Sequence, residues 1–165
     1  MSPVRIWLVG FGTVGRWVAG TLAAQSQRLA GRYGAEVAVV GIASARDGFT
    51  FRDDGFGAAE LAAAASGARP ASGLPGTRHW PATIDGLRAT EADLLVEVSA
   101  SADGGEPGVT HMREALRRRI PVVTSNKWPV ARHGAELAAL AGFPAGAVPR
   151  RVDGDVRHAG DQHTD

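Results

Sequence analysis

Residues 4–15 read VRIWLVGFGTVG. Val4 to Val9 is a short apolar, β-rich run that stops at a glycine, the profile of a strand buried in a parallel sheet. Gly10-x-Gly12-x-x-Gly15 follows at once. Beyond it Val14, Trp17, Val18, Thr21 and Leu22 recur at helical spacing, which predicts a helix from Thr13 to Leu29. The glycines then have separate tasks. The first turns the chain, the second lets a pyrophosphate approach the backbone, and the third lets helix meet strand. Thr13 and Val14 open a helix whose unpaired N–H groups and positive dipole end face an anion. A second strand, Glu36 to Ala43 (EVAVVGIA), follows the turn signal Arg32-Tyr33-Gly34. Strand, glycine turn, helix and strand make a βαβ unit. The expectation is an α/β chain with a Rossmann-type, doubly wound parallel sheet, binding a dinucleotide through Gly10, Gly12, Thr13, Val14 and Gly15.

Outward from this unit the signal varies. Ser44 to Pro81 is weakly patterned: Ala58 to Ser66 (AAELAAAAS) predicts a short helix, and Gly67 to Pro81, rich in Gly, Pro and Ser, a surface connection. Asp93 to Ser99 (DLLVEVS) is a clear strand, broken afterwards by Gly104-Gly105-Glu106-Pro107-Gly108. Thr110 is placed to cap a helix running to Arg119, with Met112, Ala115 and Leu116 inward. Ile120 to Ser125 (IPVVTS) reads as another buried strand. Pro129 suits the first turn of a helix that ends near Ala141. Gly142 to Asp165 has almost no apolar periodicity and is dense in Gly, Asp, Arg and His, a composition that predicts a disordered tail. The division expected is therefore a dinucleotide-binding domain over residues 1–141 and a tail over 142–165.

Composition bounds the function. The chain has 165 residues, room for one ordinary domain. A net charge of +1 gives no bulk electrostatic case for nucleic acid. No apolar run approaches the roughly 20 residues of a bilayer span. The N-terminus lacks the pattern of a signal peptide, so a cytoplasmic protein is expected. Zero cysteines exclude disulfides, thiolate nucleophiles and Cys-ligated zinc. Of 18 basic residues 17 are Arg, and the single Lys, Lys127, sits beside the single Asn, Asn126. In a chain of this composition such a pair points to chemical need.

Further candidates lie where strands end. The second strand ends Ala43-Ser44-Ala45-Arg46, with no acid before Asp47. An acid there would select NAD by accepting from the ribose hydroxyl; Arg46 and the Ser44 hydroxyl would instead hold the 2′-phosphate of NADP. Ser99 and Ala100 end the third clear strand, where small residues admit a flat nicotinamide ring. Thr124-Ser125-Asn126-Lys127 ends the next strand at the same sheet edge, which turns the Asn–Lys pair toward the crevice. A lysine there binds a substrate carboxylate or polarises a carbonyl. Arg117, Arg118 and Arg119 read as a helix C-terminus complementing its own dipole. His111 and His133 lack partners at ligand spacing. His158 and His163, with Asp155, Asp161 and Asp165, lack a scaffold, so no metal site is expected.

The stretch from Val98 to Gly108, then His111-Met-Arg-Glu-Ala-Leu, then Ile120 to Lys127 resembles homoserine dehydrogenase, and VGFGTVG fits that family's cofactor fingerprint. The resemblance covers residues 4 to 141. It implies NADP, or NAD, as cofactor and hydride exchange between L-homoserine and L-aspartate 4-semialdehyde, on the route to threonine and methionine. Gly12, Thr13 and Val14 would contact the pyrophosphate, Ser99 the nicotinamide region, and Asn126 the cofactor; Lys127, the catalytic candidate, would stand at the substrate end. In that family a second domain supplies an Asp and a Lys for the hydroxyl proton and the dimer interface, and the tail does not resemble its first strand. Advancing the frame of Val148 to Thr164 by one nucleotide permits a passage similar to the family's E-S-T-V…G-T-P, so a frameshift near Gly142 to Ala147 is expected. Two alternatives stay open: a stand-alone NADP-binding module or regulator, and another Rossmann reductase with a similar Asn–Lys end. An aspartate-semialdehyde type is disfavoured because its chemistry needs a thiol.

Overall fold

The computed structural model of the chain describes residues 2–143. The expectations of a disordered or out-of-frame tail, with its His158 and His163 cluster, lie from residue 144 onward outside the described residues.

Six strands form one sheet in the order β4-β3-β2-β1-β5-β6. β1 (Val4–Val9) spans the predicted strand, and β2 (Val37–Ser44) and β5 (Leu94–Glu97) flank it in parallel. β6 (Val122–Thr124) adds in parallel to β5. The chain leaves β1 toward β2 and later returns to β5 on the other side. The switch point, where open α/β sheets form their crevice, is thus between the carboxyl ends of β1 and β5.

The sheet also has a part that the sequence pattern did not reveal. β3 (Gly48–Phe51) and β4 (Arg78–Trp80) extend the β2 side as antiparallel strands, and α3 (Thr83–Ala89) follows them. β4 lies inside the stretch expected to be a surface connection. These elements are too short for periodicity to register, and β4 has exposed Arg78 and His79. They are held by aromatic packing. A Cβ on Gly41 would lie 2.5 Å from Phe49 Cζ, and one on Gly86 2.1 Å from Phe49 Cδ1, so both glycines make room for that ring. Trp7 meets Phe49 edge-on at 6.4 Å and Trp80 lies 6.0 Å away.

Alternation along β1 sends Trp7 and Val9 to one face and Leu8 to the other. The first face packs with Val40, Phe49, Phe51, Leu87 and Leu95. The second packs with Ala19 of α1 (Thr13–Tyr33) and Leu61 of α2 (Ala58–Ser66). α1 outlasts its predicted end and stops at Gly34, which takes φ 63° as a left-handed cap.

α4 (Gly108–Arg117) begins before Thr110, because Val109 N–H donates to Gly105 and His111 N–H to Pro107. Thr110 therefore lies within the helix and is not its cap. α5 (Lys127–Leu140) starts at the lysine, holds Pro129 in its first turn and kinks at His133. Arg118 does not serve its own helix end as expected. It donates to Leu87 O and Thr90 O at the end of α3, pairs with Glu91 at 2.8 Å, and lies 5.2 Å over Trp7.

Candidate functional site

The glycine loop is shaped by three different local demands. Gly10 takes φ +102°, and a Cβ there would stand 2.2 Å from Ser99 N, so the loop rests directly on the end of β5. A Cβ on Gly15 would stand 2.2 Å from Gly10 O, which presses α1 against the loop. Gly12 is the opposite case: nothing lies within 4 Å of its notional Cβ. It precedes α1 with no side-chain cap and no acid in the first turn, leaving the N–H groups of Thr13 and Val14 for an anion. Two crowded glycines therefore hold an open one, and the space beside it fits a pyrophosphate.

An open cleft of about 770 Å³ extends from this loop, a size usual for a small-molecule site. Gly10, Gly12, Thr13 and Val14 line it, with Ser44 and Arg46 at one end and Ser99 and Ala100 at the other. Gly15 lies behind the loop and acts through packing. The β2 end continues into a second cavity of about 180 Å³. Arg16, Arg46 and Arg69 face that cavity, with Asp47 as the acid. Ser44 is already engaged: its hydroxyl donates to Asp47 Oδ2 at 2.8 Å and accepts from Asp47 N at 2.9 Å. Arg16 lies over the Phe11 ring at 5.7 Å.

Asn126 and Lys127 do not line the cleft, contrary to the expected orientation of the pair. β6 is the sheet edge beyond β5, so its carboxyl end stands one strand away from the switch point. Asn126 is buried and clamps two strand ends, donating from Nδ2 to Ser99 O at 3.0 Å and to Ser101 Oγ. Lys127 is exposed on the first turn of α5.

Sequence reading missed a pair that the fold assembles at the β5 end. Glu97 is fully buried. Its Oε1 accepts from Ser99 N at 2.8 Å and from Ser99 Oγ, and its Oε2 lies 2.8 Å from His111 Nδ1. His111, 5% exposed, lines the cleft beside Ser99. His111 therefore has a partner, though on another element. The available signal was an acid inside the otherwise apolar run DLLVEVS, since a buried carboxylate requires donors.

Away from the cleft, Arg52 links β3 to α2. Its guanidinium engages both Glu60 oxygens, and Gly57 N–H donates to Glu60 Oε2 at 2.8 Å. The Arg52 hydrogen bonds, then that N–H, hold the Glu60 carboxyl at about 2, well below its ordinary 4.5. Among the described residues, no group of three or more His, Asp or Glu is placed to hold a metal, and no helix is long and apolar enough to cross a membrane.

The model of the homoserine dehydrogenase NAD-binding domain matches residues 10–142. An NAD(+)-dependent homoserine dehydrogenase of Pseudomonas canavaninivorans is 35% identical over 86% of this chain and 40% of its own length. A homoserine dehydrogenase of Methanocaldococcus jannaschii is 30% identical over 76% of this chain and 37% of its own. Among solved structures, a hyperthermophilic archaeal homoserine dehydrogenase mutant in complex with NADPH superposes with a TM-score of 0.68 at 32% identity, over 86% of this chain and 41% of that one. The chain spans about 40% of the length of the Pseudomonas relative.

Proposed function

For a chain that belongs to the homoserine dehydrogenase family, matched across its NAD-binding domain, we propose that the cleft between β1 and β5 binds NADP in preference to NAD and serves the interconversion of L-homoserine and L-aspartate 4-semialdehyde. The chemistry the dinucleotide supplies when bound is hydride exchange at its nicotinamide ring. The observation that carries the reading is the glycine cradle, open at Gly12 and closed by Gly10 and Gly15. There the Thr13 and Val14 N–H groups hold the pyrophosphate. Arg46, assisted by Arg16 and Arg69, takes the 2′-phosphate against one opposing acid, Asp47. Ser44 shapes that turn through Asp47. Ser99 and Ala100 border the ring, with Asn126 fixing Ser99 from behind. Lys127, exposed at the start of α5, offers its ammonium to the substrate. Residues 1–141 carry the cofactor half of the reaction, and a cytoplasmic location belongs to the same reading.

A non-catalytic NADP-binding module is the second reading, favoured by Lys127 standing away from the cleft walls. Formation of NADPH that depends on added homoserine separates the two. For the cofactor itself, calorimetric titration should find NADP bound about tenfold more tightly than NAD, the scale of one charge-assisted contact. Arg46→Ala should bring the two affinities together. Equal affinities in the unaltered chain would overturn the role given to Arg46.

A further inference from the structure

The β5 end of the cleft holds a buried acid that phosphate binding does not use. Glu97 is an acid in a strand otherwise made of Leu, Leu and Val, and it has no exposure to water. Such a group is costly to bury unless donors surround it. Its partners are in place: Ser99 N–H and O–H donate to Oε1, and His111 Nδ1 lies 2.8 Å from Oε2. A backbone N–H can only donate, so Oε1 is an acceptor. The set is also tied to the cofactor loop, because Gly10 packs on the Ser99 backbone. Ser99 and His111 both line the cleft, so the acid stands one residue behind its wall. His111 has its Nδ1 engaged by the same acid, which fixes its ring against the wall.

We propose that Glu97, held by Ser99 and His111, is a positioning residue that makes this cleft favour the oxidised, cationic nicotinamide ring over the reduced, neutral one. The inference rests on the cofactor reading above and deepens it. Oxidised and reduced dinucleotides share every phosphate, ribose and adenine contact and differ in the charge of one ring. A carboxylate behind the wall at that end acts on the charged ring and not on the neutral one, and the low local polarity strengthens the effect. Glycine-loop residues, which meet the part the two forms share, cannot supply this discrimination.

The test titrates the full chain with NADP+, NADPH and 2′-phospho-ADP-ribose, which lacks the nicotinamide. The unaltered chain should bind NADP+ more tightly than NADPH. In Glu97→Gln, which keeps hydrogen-bonding capacity and replaces the carboxyl group with an amide, the ratio should shift by about tenfold toward NADPH, the scale of one partly screened charge interaction. Affinity for 2′-phospho-ADP-ribose should stay within about twofold of its original value. A loss shared by all three ligands would mean that Glu97 only supports the fold, and the proposal would fall. Preference of the unaltered chain for NADPH would overturn it without any variant, which keeps the test decisive if Glu97→Gln does not fold. Failure of 2′-phospho-ADP-ribose to bind the unaltered chain overturns the cofactor reading itself. Normal binding of that fragment with an unmoved ratio overturns only the role of Glu97.

Discussion

The glycine-loop end of the cleft is built from backbone, and the β5 end from side chains. At the loop, function lies in where a Cβ is absent: Gly10 and Gly15 are crowded by neighbouring main chain and Gly12 faces open space. At the β5 end it lies in polar groups drawn from three elements, with Glu97 on β5, His111 on α4 and Asn126 before α5. A backbone site fails when an atom is added. A side-chain site fails when one partner is taken away, because the remaining polar groups stay buried without it.

The sharpest way to break this contrast is to compare alanine at two glycines of one loop. Gly10→Ala must hold a side chain at φ +102° against the Ser99 backbone. Strain and overpacking together cost about 3 kcal/mol or more. The thermal midpoint should fall by about 10 °C. Gly12→Ala meets no neighbour, so its midpoint should move by less than about 2 °C, while dinucleotide affinity drops about 100-fold as the methyl enters the space left for phosphate. If scanning calorimetry and titration give the two variants the same profile, the separation of supporting from contacting glycines is wrong.

The β5 end is sharpened by Asn126→Ala. Removing the amide leaves Ser99 O and Ser101 Oγ without this donor, at about 1–3 kcal/mol. The expected result is a midpoint lower by about 5 °C, with the affinity for 2′-phospho-ADP-ribose retained. Loss of that affinity with an unchanged midpoint would make Asn126 a ligand contact instead of a clamp.

The smallest effect lies outside both ends and calibrates them. The Glu60 carboxyl sits near 2 in the folded chain against an ordinary 4.5, so folding is favoured by its ionised form. That contribution is complete above pH 4.5 and disappears as pH falls toward 2. Solvent screening keeps it modest. Glu60→Gln should flatten the decline of the thermal midpoint across that window. An unchanged slope would show that the Arg52 contact contributes no acid sensitivity.

Much of this was legible in the sequence, and the division follows the same contrast. β1, the glycine loop and α2 announce themselves through local pattern, because strand alternation, helical spacing and glycine punctuation operate over neighbouring residues. β3, β4 and α3 do not, since elements of three to seven residues are stabilised by distant aromatic rings. Glu97 and His111 are individually visible, but their pairing depends on two elements meeting in space. The isolation of Asn126 in the composition draws attention to it, and the structure shows its amide bonded to Ser99 and Ser101. Only the fold shows that it lies off the cleft and joins the strand ends behind it.

The seat of Phe49 has a consequence for assembly. β3 forms a hairpin with β2 close in sequence, yet one wall of the Phe49 slot is Gly86 on the later α3. Until β4 and α3 arrive, a large aromatic side chain stands uncovered beside an unpaired strand rim, the combination most prone to pairing with another molecule. Pairing with β4 covers the rim of β3, and docking of α3 closes the slot. The slot is too tight for even a methyl at Gly86, so a side chain there would keep α3 from seating and leave the ring uncovered, a surface on which one chain can stick to another.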